Sequence, residues 1–414
     1  MRYDMDDPVF SPVRVVVRSS NVVSLPKSTR ARAASAVHAN GDAALDAALS
    51  ALDGFPATPP DVVLFFASAD FGEHLPDLVQ RAWRATGARI LLGCSGAGII
   101  GPDEEHERTP AVAMLALSLP GARLWPVHIT QRFVENHPTS AAWHQHLGAT
   151  PDDVTGIILL ADPFLVDTEA LVAGVGAAYP ATPIVGGLAS PGPLDRKTWI
   201  FLNGETFMNG AVGLAIGGDY ELLALVSQGC EPIGEPWTIT GAQDHWIESI
   251  ANRPAAEIVI HTLNALPAEE RDRARQNLLV GLALDEYRQE FRRGDFLIRN
   301  LIGLDRTTGA IALGTITRLG QTIQFHVRDA ATADLDLHLH LDELKQRLDG
   351  REPVAGLLCT CTGRGASLFG MPHHDVMTIT RKLGRVPLAG LFCAGEIGPV
   401  GGKPFVHGFT ASLG

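Results

Sequence analysis

The chain has 414 residues, which is enough for two or three domains with separate hydrophobic cores. Its formal net charge of −13, with no stripe of basic residues to offset it, argues against nucleic acid or an anionic membrane as a partner. The five cysteines do not suggest a disulfide framework, and no apolar run approaches the roughly 18 residues of a membrane span. We therefore predict a cytoplasmic protein with free thiols, no membrane segment and no nucleic-acid partner.

The N-terminal part of the chain combines an acidic start with two predicted elements. Residues 1–28 lack the basic and apolar pattern of a signal peptide and are predicted as a leader that contains a first strand at Val13–Val17. The alanine-rich residues 29–52 predict a helix that ends near Gly54.

One pattern of elements occurs three times: an apolar strand, a helical stretch, and a second strand that ends in glycine and a loop. The copies occupy residues 61–101, 156–192 and 356–402. The last apolar residue of the first strand and the glycine of the second are similarly spaced, in the pairs Phe66 and Gly93, Leu160 and Gly186, and Cys359 and Gly390. Since an internal repeat determines the architecture, this βαβ unit is predicted to be the building block of the fold.

Each of the first two copies is followed by a pair of predicted strands with turn residues between them. The pairs are 111–119 with 122–129 and 210–217 with 220–228, and a third pair, 310–316 with 322–328, is predicted around Leu319-Gly320. The turn residues favour hairpins at these places. The predicted fold class is therefore α/β of the mixed α+β kind, with repeated β-α-β plus β-hairpin units that form mixed sheets flanked by helices. A doubly wound parallel sheet is not expected, because the hairpins interrupt the alternation of strand and helix.

A cluster of glycine and proline residues predicts a boundary between two modules at residues 229–243. We place the N-terminal module at residues 29–235 and the C-terminal module at 236–414. Within the second module, residues 253–266 predict a helix with Pro254 in its first turn. Residues 334–348 also predict a helix, because their leucines recur at helical spacing and the first residue can cap the start.

The loops of the third copy contain the densest group of charged and reactive residues. Cys361, Thr362 and Arg364 follow the first strand, with glycines at 363 and 365 on both sides of the arginine. Gly395 and Glu396 follow the second strand, and His407 and Thr410 come shortly after. Because ligands bind at the carboxyl ends of strands in open α/β sheets, these residues form the predicted ligand site.

The residue types suggest a polar ligand with two charges. Arg364 is suited to a carboxylate or phosphate and Glu396 to an ammonium group, so that together they would bind a zwitterion. The glycines at 363, 365 and 395 would leave the backbone open to the ligand, and the side chains of Cys361, Thr362, His407 and Thr410 would add polar contacts. An alternative is that Arg364 and Glu396 form only a structural ion pair between adjacent loops.

Two further interpretations of the thiols remain open. Cys361 could be a nucleophile with His407 as its base, which would make the protein a thiol-dependent enzyme. In the first copy, Cys94 and Ser95 stand where the second copy has glycine and leucine, so they either line a second pocket or only pack in the core. No metal site is predicted, because Cys-x-Cys lacks the usual zinc-ligand spacing. No cofactor is predicted either, because the dinucleotide and Walker motifs are absent.

Several phrases of the sequence resemble the FIST domain family, in order along nearly the whole chain. They are GCSGAGIIG at 93–101, RNLIGLD at 299–305, CTGRG at 361–365, VPLAGLFCAGEIGP at 386–399 and HGFTASL at 407–413. The resemblance implies an N-terminal FIST module followed by a C-terminal one. It also implies a sensory, ligand-binding role in signal transduction, with small molecules such as amino acids as ligands. Family members are joined to signalling output domains or, in some eukaryotes, to an F-box. This sequence has room for neither, so the resemblance implies a separate signalling partner protein.

We therefore predict a small-ligand-binding sensory protein in signal transduction and favour it over an enzyme. Two alternatives remain: a thiol-dependent enzyme that uses Cys361, and a protein-interaction scaffold without a ligand. If Cys361 reacts with an alkylating agent well below the normal thiol pKa of about 8.5, its thiolate is activated and the enzyme is favoured over the sensor. A shallow apolar surface in place of a polar pocket would indicate the scaffold.

Overall fold

A computed structural model of the protein describes residues 29–55, 59–136, 139–192, 196–288, 290–291 and 294–414. The predicted leader and the predicted strand at Val13–Val17 lie outside the described residues. Among the described residues, no helix is long and apolar enough to cross a membrane.

The first half of the chain alternates strands and helices. As far as residue 147 the elements are β1 (Arg30–Val37), α1 (Gly41–Ala51), β2 (Val62–Ser68), α2 (Leu75–Thr86), β3 (Ile90–Gly96), β4 (Gly98–Ile100), β5 (Glu105–Glu107), β6 (Ala111–Ser118), β7 (Ala122–Ile129), α3 (Gln131–Asn136) and α4 (Ser140–Leu147). There follow β8 (Gly156–Ala161), α5 (Thr168–Ala178), β9 (Ile184–Leu188), β10 (Ile200–Leu202), β11 (Glu205–Phe207), β12 (Ala211–Gly218) and β13 (Leu225–Ser227).

The second half contains an all-antiparallel region before the third copy. Its elements are β14 (Glu231–Gln243), β15 (Trp246–Ile250), β16 (Arg253–Pro254), α6 (Ala255–Ala265), α7 (Ala268–Gln276), β17 (Leu278–Ala283), β18 (Phe296–Leu304), β19 (Ile311–Leu313), β20 (Thr322–Val327) and α8 (Ala330–Leu348). The third copy and the end of the chain comprise β21 (Gly356–Cys361), α9 (Ala366–Phe369), α10 (His374–Leu383), β22 (Leu388–Cys393), β23 (Gly395–Val400), β24 (Lys403–His407) and β25 (Ala411–Leu413).

Three six-stranded mixed sheets form the body of the protein, and each is built around one βαβ copy. The orders are β1-β6-β2-β3-β10-β11 for sheet I, β24-β23-β9-β8-β12-β7 for sheet II and β13-β25-β21-β22-β4-β5 for sheet III. In every sheet the two parallel strands of the copy lie side by side, and all their other neighbours are antiparallel. The predicted repeat and the mixed α+β class are therefore confirmed.

After the second parallel strand of each copy, the chain forms a short hairpin, and this hairpin lies in the sheet of another copy. Hairpin β4–β5 follows copy one but joins sheet III, β10–β11 follows copy two but joins sheet I, and β23–β24 follows copy three but joins sheet II. The three sheets are therefore connected in a ring by exchanged hairpins. This arrangement places the end of copy three directly beside segments from the first half of the chain.

Hydrogen bonds connect the copies where their second parallel strands end. Ser190 N donates to Ser95 O at 3.2 Å, and Ala394 N donates to Leu188 O at 3.1 Å. The remaining junction between copies contains the Ser190 hydroxyl instead of a direct backbone contact. The three copies thus meet through equivalent loops, with one local difference.

The repeated glycine of the sequence pattern has the same structural role in all three copies. Gly93, Gly186 and Gly390 face the first parallel strand, and a β-carbon on them would lie 1.7, 1.8 and 1.7 Å from a backbone carbonyl oxygen of that strand. No side chain fits at such a distance, so the close approach of the parallel strands requires glycine at each position.

The inner faces of the three sheets enclose a shared aliphatic core, and helices cover the outer faces. Leu64, Ile158 and Leu357 come from the first parallel strand of each copy and are 1%, 5% and 4% exposed in this core. Helices α1 and α2 cover sheet I, α4 and α5 cover sheet II, and α8 and α10 cover sheet III. The strands read as continuous apolar runs in the sequence because both of their faces are buried.

A fourth, seven-stranded sheet contains β14 to β20 and packs on α6 and α7 around its own core. It is joined to the body by the buried Arg299 of β18. The guanidinium of Arg299 donates to Val406 O of β24 and to the Glu169 carboxylate of α5, both at 3.1 Å. Sheet IV therefore lies against the exchanged hairpin of copy three.

The predicted helix at residues 29–52 is wrong in its first half. Residues 30–37 form β1, which pairs antiparallel with β6, and α1 begins only after the side chain of Asn40 accepts from Ala43 N at 2.9 Å. Arginine alternates with alanine at the start of β1, so the polar residues point outward with the period of a strand. Alanine is compatible with the period of a helix and with that of a strand. Residues 30–37 form a strand because they pair with the edge of β6.

The predicted pairing across the turns at 120–121, 218–219 and 319–320 is also wrong, although strands lie on both sides of each turn. Strand β6 pairs with β1 and β2, whereas β7 pairs with β12 of sheet II. Strands β13 and β20 likewise pair away from the strands that precede them. Each turn carries the chain from one sheet or sheet region to another, and turn residues alone do not specify the partner strand.

The glycine and proline cluster at 229–243, where the boundary between the two modules is predicted, contains β14 over most of its length. This 13-residue strand pairs first with β20 and then with β15, with register shifts between the paired segments. Gly234, at φ +63°, lies at such an irregularity, as is usual for glycine within a strand. The predicted helices at 253–266 and 334–348 are confirmed as α6 and α8, and α8 starts earlier, at the capping residue Asp329.

Candidate functional site

The carboxyl ends of β21 and β22 bring several predicted site residues together. Cys361 N donates to Thr410 O at 3.0 Å, and Thr362 N donates to Cys393 O at 3.1 Å. A tight turn then returns Arg364 N to the carbonyl of Cys361 at 2.9 Å, while Gly363 N contacts the Cys361 sulfur at 3.4 Å. Residues 361–364 and Thr410 thus form one compact unit.

Arg364 is completely buried, and its main partner is a residue that the sequence did not indicate. Its Nε and Nη2 donate to the two carboxylate oxygens of Asp375, each at 2.9 Å, in a bidentate pair. Asp375 also accepts from the Thr360 hydroxyl at 3.0 Å. Burial alone would raise the pKa of Asp375, but the Arg364 charge and its hydrogen bonds hold that pKa well below its usual range.

His374 lies between two carboxylates and extends this network. Its Nδ1 is 3.0 Å from Asp375 and its Nε2 is 2.8 Å from Asp334, so both ring nitrogens must donate and the ring carries a charge. Burial would lower the pKa of His374, but the two carboxylates raise it above its usual value. The ring stacks on Phe369 at a centroid distance of 3.5 Å, and the Arg364 guanidinium lies 5.2 Å from the same phenyl ring.

Glu396 is also completely buried, and only half of its carboxyl group has partners. Its Oε2 accepts from Thr410 N at 3.0 Å and from the Thr410 hydroxyl at 2.8 Å, whereas Oε1 has no hydrogen-bond partner. Burial raises the pKa of Glu396 to about 8, against the opposing effects of Thr410, Arg364 and Arg328. The carboxyl group is therefore mostly protonated at neutral pH. Arg364 Nη1 is a second buried polar atom without a partner.

Arg328, at the end of β20, adds a second guanidinium to the site. Its Nη1 donates to Phe409 O at 2.9 Å, and its guanidinium carbon lies 3.9 Å from the centre of the Phe409 ring. Burial lowers the pKa of Arg328 to about 10, and the charge acts on Cys361, Arg364 and Glu396. The sequence signal for Arg328 is weak: it is the first charged residue after an apolar strand, a description that fits many surface residues.

Phe409 itself has a backbone conformation that is rare for a bulky residue. Its φ is +64°, in the left-handed region that normally contains glycine or asparagine. Its ring reaches within 2.8 Å of the place where a β-carbon on Gly363 would lie, so that position requires glycine. Strained residues of this kind cluster at functional sites.

Gly365 has a packing role against the first copy. It has φ +71°, and a β-carbon there would lie 2.5 Å from the Glu107 carboxylate of β5. That carboxylate accepts from Ala366 N at 2.8 Å. The next acid on β5, Glu105, is buried and accepts from Val376 N at 2.9 Å. The exchanged hairpin β4–β5 therefore supports the loop that carries Arg364.

The remaining predicted residues lie in differing surroundings. Cys361 is 8% exposed, and burial together with Glu396 raises its pKa to about 11, which keeps it a neutral thiol. His407 faces Glu396 across β23–β24 and has Nε2 3.0 Å from Gly398 O, and burial lowers its pKa to about 4. These protonation states disfavour a Cys361 thiolate paired with a His407 base. The backbone of Gly395 pairs with Leu188 of sheet II.

Cys94 and Ser95 lie within β3 and are fully buried. Cys94 packs in the shared core, where burial raises its pKa well above the usual value. The Ser95 hydroxyl accepts from Trp199 N at 3.0 Å. The structure therefore places this pair in the packing of sheet I rather than beside Arg364.

Over the buried charges, the surface consists of short loop segments. Thr362 and Ala394 are exposed, and Gly363 and Phe409 are half-buried. Arg328 is also half-buried, whereas Glu396 and Cys361 are buried.

Comparison with known families agrees with the two-module fold. The FIST N domain model matches residues 61–253 and the FIST C domain model matches residues 255–399. FIST domains are sensory domains of signal transduction. The chain belongs to the FIST family.

Mycobacterial proteins are similar to this chain over nearly their whole length. Uncharacterized protein Rv0628c of Mycobacterium tuberculosis is 36% identical over 371 residues, which cover 90% of this chain and 95% of that protein. Uncharacterized protein Mb0898c of Mycobacterium bovis is 34% identical over 371 residues, 90% of this chain and 94% of that protein. The F-box/LRR-repeat protein At5g63520 of Arabidopsis thaliana is 31% identical over 88 residues, only 20% of this chain and 17% of that protein.

Among solved structures, a cyanuric acid hydrolase from A. caulinodans aligns over 93% of this chain and 99% of its own. The TM-score is 0.34 and the sequence identity 11%. At this level of similarity, neither a shared fold nor a shared activity follows from the alignment.

Proposed function

We propose that this FIST protein is a cytoplasmic sensor that binds a small polar metabolite, such as an amino acid, in the charged cluster of copy three. The supporting observation is a pair of fully buried polar atoms without partners, Arg364 Nη1 and Glu396 Oε1. Native proteins satisfy most buried polar groups, so two unsatisfied charged side chains in copy three support a bound group there. A separate partner protein would carry the output.

The two guanidinium groups favour an anionic end of the ligand. Arg364 retains one free amino group after its pair with Asp375, and Arg328 adds a second positive charge close by. A ligand carboxylate would accept from both, which is the bidentate geometry that arginine suits. The backbone at Gly363, Gly365 and Gly395, with Cys361, Thr362, His407 and Thr410, would complete the contacts.

Glu396 would bind the cationic end of the ligand, and its own protonation state would change on binding. The free protein holds this carboxyl mostly protonated at neutral pH, since burial raises its pKa to about 8. An ammonium group beside it favours the ionised form. Binding of a zwitterion would therefore release a proton, whereas binding of a simple anion would not.

Thermal-shift screening of amino acids and small carboxylates, followed by calorimetry, tests the proposal. We expect Arg328→Gln to weaken the binding of a hit by at least about tenfold, because it removes a positive charge from the site. Arg271→Gln is the matched control, since Arg271 also donates to backbone carbonyl oxygens but lies on α7. Equal affinities in both variants would place the ligand elsewhere.

Glu396→Gln tests the cationic end separately. Glutamine has the shape of the protonated acid but cannot ionise, so the variant should lose zwitterion binding and the proton release measured in buffers of different ionisation enthalpy. Retention of full affinity would remove the role given to Glu396. If no metabolite binds the wild-type protein at all, the scaffold interpretation replaces the sensor.

A further inference from the structure

A large cavity opens at the other end of the three-sheet body. Its volume is about 810 Å³. Its walls are mainly aliphatic and come from all three copies, with Leu64, Leu117, Ile158, Ile216, Leu357 and Leu413 among them. Strand β21 runs from this cavity at Gly356 to the charged cluster at Cys361, a distance of about 17 Å at the usual rise of a strand. The cavity and the charged cluster are therefore separate places in the fold.

Its walls and its size suit an apolar molecule. Cavities that hold small molecules in proteins typically measure about 300–1,000 Å³ and are lined by apolar side chains with few polar groups. Aliphatic walls offer no hydrogen bonds to water, and each Å² of apolar surface left wet costs about 25 cal/mol. Leu222, Val354 and Ala355 remain only partly buried at this place, although they pack on the shared core. An apolar ligand would bury them.

The polar groups of the cavity lie in the segments that join the elements, and acids outnumber bases. The acids are Asp219, Glu221, Asp349 and Glu352, and the bases are Arg347 and Arg351. Arg351 is already paired with Glu221 at 3.0 Å, and Arg347 Nη1 donates to Ala224 O at 2.9 Å. This excess of acidic side chains disfavours a ligand with an anionic end and is compatible with a neutral or cationic one.

We propose that this cavity is a second ligand site, which takes a linear aliphatic molecule with a neutral or cationic polar end. The aliphatic part would lie between the three copies, against the partly buried Ile216, Leu222 and Val354. The polar end would remain near the acidic side chains. Because all three copies contribute to the wall, a molecule bound here would contact every sheet of the body at once.

The probes are decanol, decylammonium and decanoate, titrated into the full-length protein by calorimetry and thermal shift below their micelle concentrations. We expect decanol and decylammonium to bind and to raise the melting temperature, and decanoate to bind at least about tenfold more weakly. No binding by decanol and decylammonium overturns the proposal. Stronger binding of decanoate overturns the assignment of the polar end.

Cavity-filling variants locate the bound probe. Ala355→Phe places a ring in the cavity and should weaken decanol binding by at least about tenfold, whereas Ala47→Phe on the exposed face of α1 should not. Val354→Phe repeats the test if the first variant does not fold, as judged by circular dichroism. Unchanged affinity in a folded filling variant overturns the proposal.

Residues 1–28 require their own control, because the Thr29 hydroxyl lies 2.8 Å from the hydroxyl of Tyr220 in the cavity wall. Removal of residues 1–28 should leave the affinity for decanol unchanged. If only the shortened chain binds decanol, the cavity is a docking place for the protein's own N-terminal residues and the ligand proposal is wrong.

Discussion

Copies two and three of the βαβ unit share their backbone but treat buried polar groups in opposite ways. Copy two ends its first strand at Asp162, whose two oxygens accept from Phe164 N at 2.9 Å, from Leu165 N and from the Thr198 hydroxyl. Copy three leaves Arg364 Nη1 and Glu396 Oε1 without partners. The buried carboxylate of copy two thus has all its hydrogen bonds made within the protein, whereas the buried charged groups of copy three do not. The difference arises from loop residues, since the glycines at 186 and 390 have the same role.

The largest expected effect comes from the carboxylate that holds the charges of copy three. Asp375→Asn removes the only full charge that contacts both Arg364 and His374 in the described network, and should lower the free energy of unfolding by about 3–5 kcal/mol. Asp162→Asn should cost clearly less, because no cation depends on that carboxylate. Urea unfolding of both variants measures the difference. Equal losses would mean that the two copies do not differ in this way.

Glu396 should make the stability of copy three depend on pH. Its pKa is raised from an ordinary 4.5 to about 8 in the fold, so the neutral form is favoured and stability falls as the pH rises through this interval. The raised pKa of Glu396 should cost the wild type on the order of 4 kcal/mol of stability between pH 5 and pH 9, a loss that Glu396→Gln should not show. Glu105, whose pKa burial raises to about 7, contributes in the same direction. Parallel curves for the wild type and the Glu396→Gln variant would contradict this account.

The junction between copies gives a smaller test. The Ser190 hydroxyl accepts from Ala97 N at 2.6 Å and donates to Phe392 O at 2.5 Å, whereas the other two junctions use direct backbone bonds. Ser190→Ala leaves both backbone groups without that partner and should cost about 2 kcal/mol. Ser412→Ala, which removes a single hydrogen bond to Ile397 O, should cost less. A negligible cost for Ser190→Ala would show that the junction closes without the hydroxyl.

The smallest effect concerns reactivity rather than stability. Cys361 has its pKa raised to about 11, so its alkylation by iodoacetamide should be slow at pH 7 and accelerate as the pH approaches 10. Peptide mapping of the alkylated protein identifies the modified residue, with Cys361→Ser as the control. Rapid alkylation of Cys361 at pH 7 would indicate an activated thiolate and restore the enzyme interpretation.

Much of the site was visible in the sequence because it depends on local order along the chain. Arg364 and Glu396 follow apolar strands directly, and the end of a buried strand in a parallel pair is where polar loops meet. Asp375 escaped notice because it lies in the first turn of an ordinary helix, where an acid usually reflects the helix dipole. Arg328 comes from sheet IV, and no periodicity relates it to copy three.

The sequence by itself determined the repeated unit, because the close approach of two parallel strands excludes any side chain at Gly93, Gly186 and Gly390. The helices α6 and α8 were also predictable, because the apolar spacing within each is local, although α8 is capped by Asp329 and not by the predicted Asp334. Strand pairing was decided by the tertiary structure alone, since the hairpins and turns lead to strands in another sheet or in another part of the same sheet, and pairing energy depends on which edges are open. For the same reason, only the fold could give Arg364 its partner Asp375 and bring Arg328 onto Phe409.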